Sequence, residues 1–193
     1  MSGRVYLAED AMLTRPVAIK FIVDTDAGAR QRFLLEARAV AKIHHPNVIS
    51  IYRIGMLDGR PYYVTELVRG VSLAAYDKPA PWQTVLDIAI GLARGLAAIH
   101  RRNVVHCDLK PSNVMIDPDG VAKIIDFGLA RLAAADGARG AGIPVGTPDY
   151  MAPEVWRGES PTQRSDVYSL GALLYELIAG KPPFGDADSR VLR

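Results

Sequence analysis

The chain has 193 residues, 49% of them hydrophobic and 23% charged, which is enough to bury a sizeable core in one domain or two small lobes. Its formal net charge of +2 is too small to argue for nucleic acid or an anionic membrane surface as partner. A single cysteine, Cys107, excludes an internal disulfide and a cysteine-based metal cluster, and fits a reducing cytoplasm. Met1 to Asp10 lacks the basic start and apolar core of a signal peptide. No run reads as long and apolar enough to cross a bilayer. The nearest, Ser169 to Gly180, is short and contains Glu176, so no membrane segment is expected within the chain.

In chain order, Arg4 to Ala8 and Val17 to Val23 read as strands joined by a turn around Asp10 to Pro16. Ala29 to Ile43 follows a helical period that places Phe33, Leu34, Ala37, Val40 and Ala41 on one face, with Pro46 as the expected stop. Val48 to Gly55 and Pro61 to Glu66 read as two strands around the turn Asp58-Gly59. Past Val68-Arg69-Gly70 the pattern becomes helical. Trp82 to Arg101 is a long amphipathic helix carrying Val85, Ile88, Ala89, Leu92, Ala93 and Leu96 at three-four spacing. Val114 to Ile116 and Val121 to Ile125 are short strands around Pro118-Asp119-Gly120. Ala133 to Gly142, nearly all Ala and Gly, reads as a mobile loop. Gln163 to Ala179 is a further apolar helix, ended by Gly180. There is no internal repeat. The expected architecture is α+β and two-lobed: a small antiparallel sheet with one helix over residues 1–66, a connector at 67–70, and a mainly helical lobe over 71–193.

Three stretches carry chemistry. Val17-Ala18-Ile19-Lys20 puts a lysine at the end of an apolar strand, and the following helix offers Glu36 as its counter-ion. Taken alone, Lys20 is as well explained by a cation snorkelling from a strand end. His106-Cys107-Asp108-Leu109-Lys110-Pro111-Ser112-Asn113 is a dense polar run straight after Val104-Val105. There Asp108 can orient a hydroxyl and take its proton, Lys110 can stabilise a transferring phosphoryl group, and Asn113 can offer an amide oxygen to a hard cation. Asp126-Phe127-Gly128 follows 18 residues after Asp108, at a strand end. Asn113 and Asp126 fall on the two arms of one hairpin and so approach the same ion.

In this order the motifs resemble the protein kinase family over essentially the whole chain. The resemblance implies that Lys20 orients the ATP phosphates with Glu36 as its partner. It implies that His106 to Asn113 is the catalytic loop and that Asp126 binds metal with Asn113. Ala152-Pro153-Glu154 then closes the activation segment, and Asp166 braces the catalytic loop. For the nucleotide it implies Gly3, Val5 and Ala18 above, Met115 below, Thr65 guarding the back, and the backbones of Glu66 and Val68 at the adenine edge. Val40, Ile51, His106 and Phe127 match a stack joining the lobes. The cofactors implied are ATP with magnesium, manganese being an alternative, and the partner is a protein carrying a Ser or Thr acceptor, near Thr147. Gly146-Thr147-Pro148 ahead of Tyr150-Met151-Ala152-Pro153-Glu154 is similar to the bacterial Ser/Thr branch.

Three departures from the family set further expectations. Of the three glycines expected over the phosphates only Gly3 is present, so the chain reads as trimmed at both ends. Glu154 is expected to lack an arginine partner from later in the domain. Cys107 stands where an arginine often grips an activation-loop phosphate, and no Ser, Thr or Tyr lies between Gly128 and Gly146. Switching by phosphorylation in that stretch is therefore not expected. The competing readings are a kinase-like interaction module without strong catalysis and a kinase of small hydroxylated molecules. The segment ending in Ala152-Pro153-Glu154 argues against the second.

Overall fold

The structure of the protein is a computed structural model that describes residues 4–22, 27–126 and 147–184. Four antiparallel strands, β1 (Val5–Asp10), β2 (Arg15–Phe21), β3 (Ile51–Leu57) and β4 (Arg60–Glu66), form a sheet in the order β1-β2-β4-β3. The turn between β3 and β4 is the two-residue Asp58-Gly59, with φ of 48° and 74°. Both values are the positive ones that a tight hairpin matched to right-handed strand twist requires.

Helix α1 (Ala27–Val40) crosses between β2 and β3 and packs on β3 and β4 through Phe33, Ala37 and Val40. The expected stop at Pro46 is corrected: the helix ends at Val40. Its last turn tightens through Lys42 N–H to Ala39 O (3.3 Å) and Ile43 N–H to Val40 O (2.9 Å), which directs Ile43 inward. The strand expected from Val48 also starts later, at Ile51. Residues 47–49 bond instead to the second sheet, Ile49 N–H to Ile124 O and Ile124 N–H to Asn47 O, both at 2.9 Å.

That second sheet holds β5 (Val71–Ser72), β6 (Val114–Ile116) and β7 (Ala122–Ile124), in the order β5-β6-β7. Helix α2 (Trp82–His100) packs beneath β7 and against α4 (Gln163–Ala179). The short α3 (Pro153–Trp156) precedes α4. Asn47 reaches down to α2, and its side-chain amide donates to Ala122 O at 2.8 Å. A Cβ on Gly95 of α2 would lie 2.9 Å from Asn47 O, so this approach needs a residue without a side chain. The buried apolar residues run as one cluster from Phe33 and Tyr63 through Val48 and Ile124 to Leu92, Leu173 and Leu177. The small sheet and the helical part therefore share a core on either side of the cleft.

Among the described residues the longest apolar helix is α2, not Ser169 to Gly180. By length and composition alone α2 suffices to cross a bilayer, but 39% of its apolar window is buried in the fold, and it carries Asp87 and Arg94. Its inward positions, Val85, Ile88, Leu92, Leu96 and Ile99, are the seats of the core.

Candidate active site

Direct cross-strand partners in an antiparallel sheet share a face, as do alternate residues along a strand. The register pairs Val5 with Lys20, Leu7 with Ala18, Ala18 with Thr65, and Lys20 with Tyr63. One face of the sheet therefore presents Val5, Ala18, Lys20, Tyr63 and Thr65 together. At its end the Lys20 ammonium donates to Asp126 Oδ2 at 2.6 Å, and the Tyr63 hydroxyl donates to Asp126 Oδ1 at 3.1 Å. Lys20 thus meets Asp126. The side chain of its expected partner Glu36, along with Gly3 and residues 127–146, which include Phe127 and the 133–142 loop, lies outside the described residues. Burial first, then the charge of Asp126 and the bond to it, push the Tyr63 phenol well above its usual value, so it stays a donor.

The hairpin of β6 and β7 brings Asn113 and Asp126 to the same end, and Ile125 N–H donates to Asn113 O at 3.0 Å. The Asn113 amide nitrogen donates to the backbone oxygen of Asp108 (2.7 Å) and to its carboxylate (3.1 Å). Its amide oxygen is thereby left for another partner. The Lys110 ammonium lies 3.0 Å from Asp108 Oδ2 and donates to Thr147 Oγ1 at 2.8 Å. Asp108, Lys110, Asn113 and Thr147 thus form one bonded set.

Beneath them lies Asp166, 1% exposed in the first turn of α4. Its carboxylate accepts the N–H groups of His106 (2.8 Å) and Cys107 (2.9 Å), and lies 2.8 Å from the His100 ring. Cys107 is held at φ 65°, a left-handed geometry that few side chains adopt. Burial holds the His106 imidazole below its usual value, against the opposing pull of Asp166 and its neighbouring carboxylates. Glu154 is not bare: Ser165 Oγ donates to it at 2.6 Å, and this bond holds its carboxyl below the usual range.

At the expected adenine edge, Thr65 is 4% exposed and donates its hydroxyl to Glu66 O at 3.0 Å. Val68 and Met115 are half-buried. The Glu66 carboxylate, unremarked in the sequence, is clamped between Ser50 N–H (2.8 Å) and the Lys123 ammonium (2.9 Å) across the cleft. Two further features had no clear signal in the sequence. Tyr63 shows only as a residue two places before Thr65, on its face. Glu176, 7% exposed, binds Lys78 at 2.5 Å and also accepts the hydroxyl of Tyr150.

The donor set suits a divalent hard cation. It offers one carboxylate and one amide oxygen, and among the described residues no cluster of three His, Cys, Asp or Glu would hold a metal unaided. An ion bound there needs further oxygens from a phosphate or water, which is how magnesium is usually held. The cleft therefore combines two cationic amines, a pair of oxygens suited to a cation, and the Asp108 carboxylate, which Lys110 links to Thr147.

A sheet over a helical lobe, with these residues at the junction, defines a protein kinase. The chain matches the protein kinase domain family over residues 1–192 and belongs to it. It is 42% identical over 194 residues to the serine/threonine-protein kinase PknL of Mycobacterium tuberculosis, covering 96% of this chain and 48% of that protein. It is 39% identical over 200 residues to the DNA damage-responsive serine/threonine-protein kinase RqkA of Deinococcus radiodurans, covering 99% of this chain and 30% of that protein. The serine/threonine-protein kinase PrkC of Bacillus subtilis is 38% identical over 195 residues, 98% of this chain and 30% of its own length. The chain thus spans less than half the length of these relatives.

Proposed function

We propose that the chain transfers the γ-phosphoryl group of ATP to Ser or Thr hydroxyls of proteins. The observation that carries this reading is the bonded set Asp108–Lys110–Asn113–Thr147 at the mouth of the cleft that holds Lys20 and Asp126. The names of the relatives support the acceptor class.

Asp108 orients the acceptor hydroxyl and receives its proton. Asn113 fixes the Asp108 carboxylate by its bond to Oδ2, so the attacking oxygen is presented in one direction. Lys110 meets the charge on the transferring group, and Lys20 leaves Asp126 to bind the α and β phosphates. Asn113 Oδ1 and Asp126 would hold magnesium, or manganese in its place, which would supply neutralisation of the phosphate charge. Val5, Ala18 and Met115 enclose adenine, and the backbones of Glu66 and Val68 bond its edge. Thr147 seats the acceptor residue next to Lys110.

The test is intact-mass analysis of the full chain after incubation with ATP, magnesium and a basic protein acceptor, with Asp108→Asn beside it. The wild type is expected to add phosphate to Ser or Thr. The variant should be slower by a factor of about a hundred or more, at nearly unchanged ATP affinity. Near-full activity in the variant would remove Asp108 from its role.

A further inference from the structure

Among the described residues the Asp126 carboxylate has two side-chain donors, and they differ in kind. Oδ2 takes the Lys20 ammonium at 2.6 Å, in a pair whose side chains are 16% and 29% exposed. Oδ1 takes the Tyr63 hydroxyl at 3.1 Å, from a residue 4% exposed on the same face of the sheet as Lys20. Tyr63 is itself braced from behind: its ring packs on Phe33 of α1, with centroids 6.3 Å apart and planes tilted 30°. A triphosphate entering the cleft competes for the lysine, because the ammonium is a compact cation on a flexible stem. It does not compete for Tyr63, which is neutral, buried and locked by its ring. When Lys20 turns to phosphate, the Tyr63 hydroxyl is the side-chain donor left on Asp126 among the described residues.

We propose that Tyr63 is a positioning residue that keeps the Asp126 carboxylate aimed at the metal–nucleotide complex after Lys20 has released it. The inference rests on the reading of Asp126 as a metal-holding residue. The physical gain is pre-organisation. A carboxylate fixed through one oxygen presents the other without first being ordered, and a hydrogen bond to a charged acceptor is among the stronger ones in a protein. Tyr63 touches neither substrate nor metal; it acts through Asp126.

Calorimetry with the β,γ-imido analogue of ATP tests this on the full chain, once in EDTA and once in excess magnesium. Wild type, Asp126→Asn, Tyr63→Phe and Tyr63→Met are compared. Wild type should bind more tightly with magnesium, and Asp126→Asn should lose that gain. Tyr63→Phe keeps the ring and removes the hydroxyl. It should cut the magnesium-dependent gain about tenfold, with affinity in EDTA within about twofold of wild type. Tyr63→Met, with different packing and again no hydroxyl, should show the same metal-specific loss.

A magnesium gain left intact in Tyr63→Phe, beside its loss in Asp126→Asn, would overturn the role of Tyr63 and leave the metal site standing. A parallel fall with and without magnesium would also overturn it, since it would mark a packing role. A wild type without any magnesium gain, or an Asp126→Asn that keeps it, would overturn the metal reading and this inference together.

Discussion

Replacing Asp166 by Asn probes how the polar run 106–113 is held. The carboxylate is 1% exposed and accepts two backbone N–H groups at 2.8 and 2.9 Å, besides lying 2.8 Å from the His100 ring. Asn has nearly the same shape but only one acceptor oxygen. Its amide nitrogen would face one of the two N–H groups, donor against donor, at a position only 1% exposed. A hydrogen bond to a charged group contributes roughly 1.5–3 kcal/mol, and stranding a buried donor costs about 1–3 kcal/mol more. The variant should therefore lose roughly 3–5 kcal/mol, a large part of the roughly 5–15 kcal/mol typical of a folded domain. With urea slopes of about 1–3 kcal/mol/M, the unfolding midpoint should fall by about 2 M. Circular dichroism in urea gives the midpoint, and amide hydrogen exchange should show His106 and Cys107 exposed earliest. A midpoint within about 0.5 M of wild type, with both amides still protected, would refute the reasoning.

Gly70→Ala would place a Cβ 2.0 Å from the carbonyl oxygen of Ile116 and 2.9 Å from the Cα of Asp117, so backbone must move and the pairing of β5 with β6 must open. A loss of about 2 kcal/mol or more is expected, read as a fall of roughly 5 °C or more in the melting midpoint. Stability should also depend on pH through His45 and His106, both held below the usual imidazole value, chiefly by burial. The unfolded chain binds their protons first, so their contribution is complete above pH 6.5, the ordinary value for imidazole, and is lost as pH falls through the lowered values. His106→Phe should flatten that loss, and urea midpoints that fall equally steeply below pH 6.5 in both proteins would contradict it.

Much of the architecture was legible in local pattern. Helix α4 spans Gln163–Ala179 as its periodicity predicts, and the Asp58-Gly59 turn and the β6–β7 hairpin sit where their residues place them. These features depend on neighbours a few positions apart, and period and turn chemistry report such relations directly. The mutual bonding of the polar run 106–113 was legible for a similar reason. Asp108, Lys110 and Asn113 lie within one short turn, and their bonds to one another follow from that closeness.

Tertiary structure decided what joins residues far apart in the chain. Lys20 and Asp126 are 106 positions apart, Tyr63 and Asp126 are 63 apart, and Lys78 and Glu176 are 98 apart. No period links such pairs. The first two pairs meet because the β2–β4 register puts Lys20 beside Tyr63, and because residues 47–49 bond to β7, at whose end Asp126 lies. Sequence alone nominated the side chains proposed here for phosphoryl transfer. Folding decided which partners hold them, because a buried amine or carboxylate must take its hydrogen bonds from whatever the packed core brings within about 3 Å.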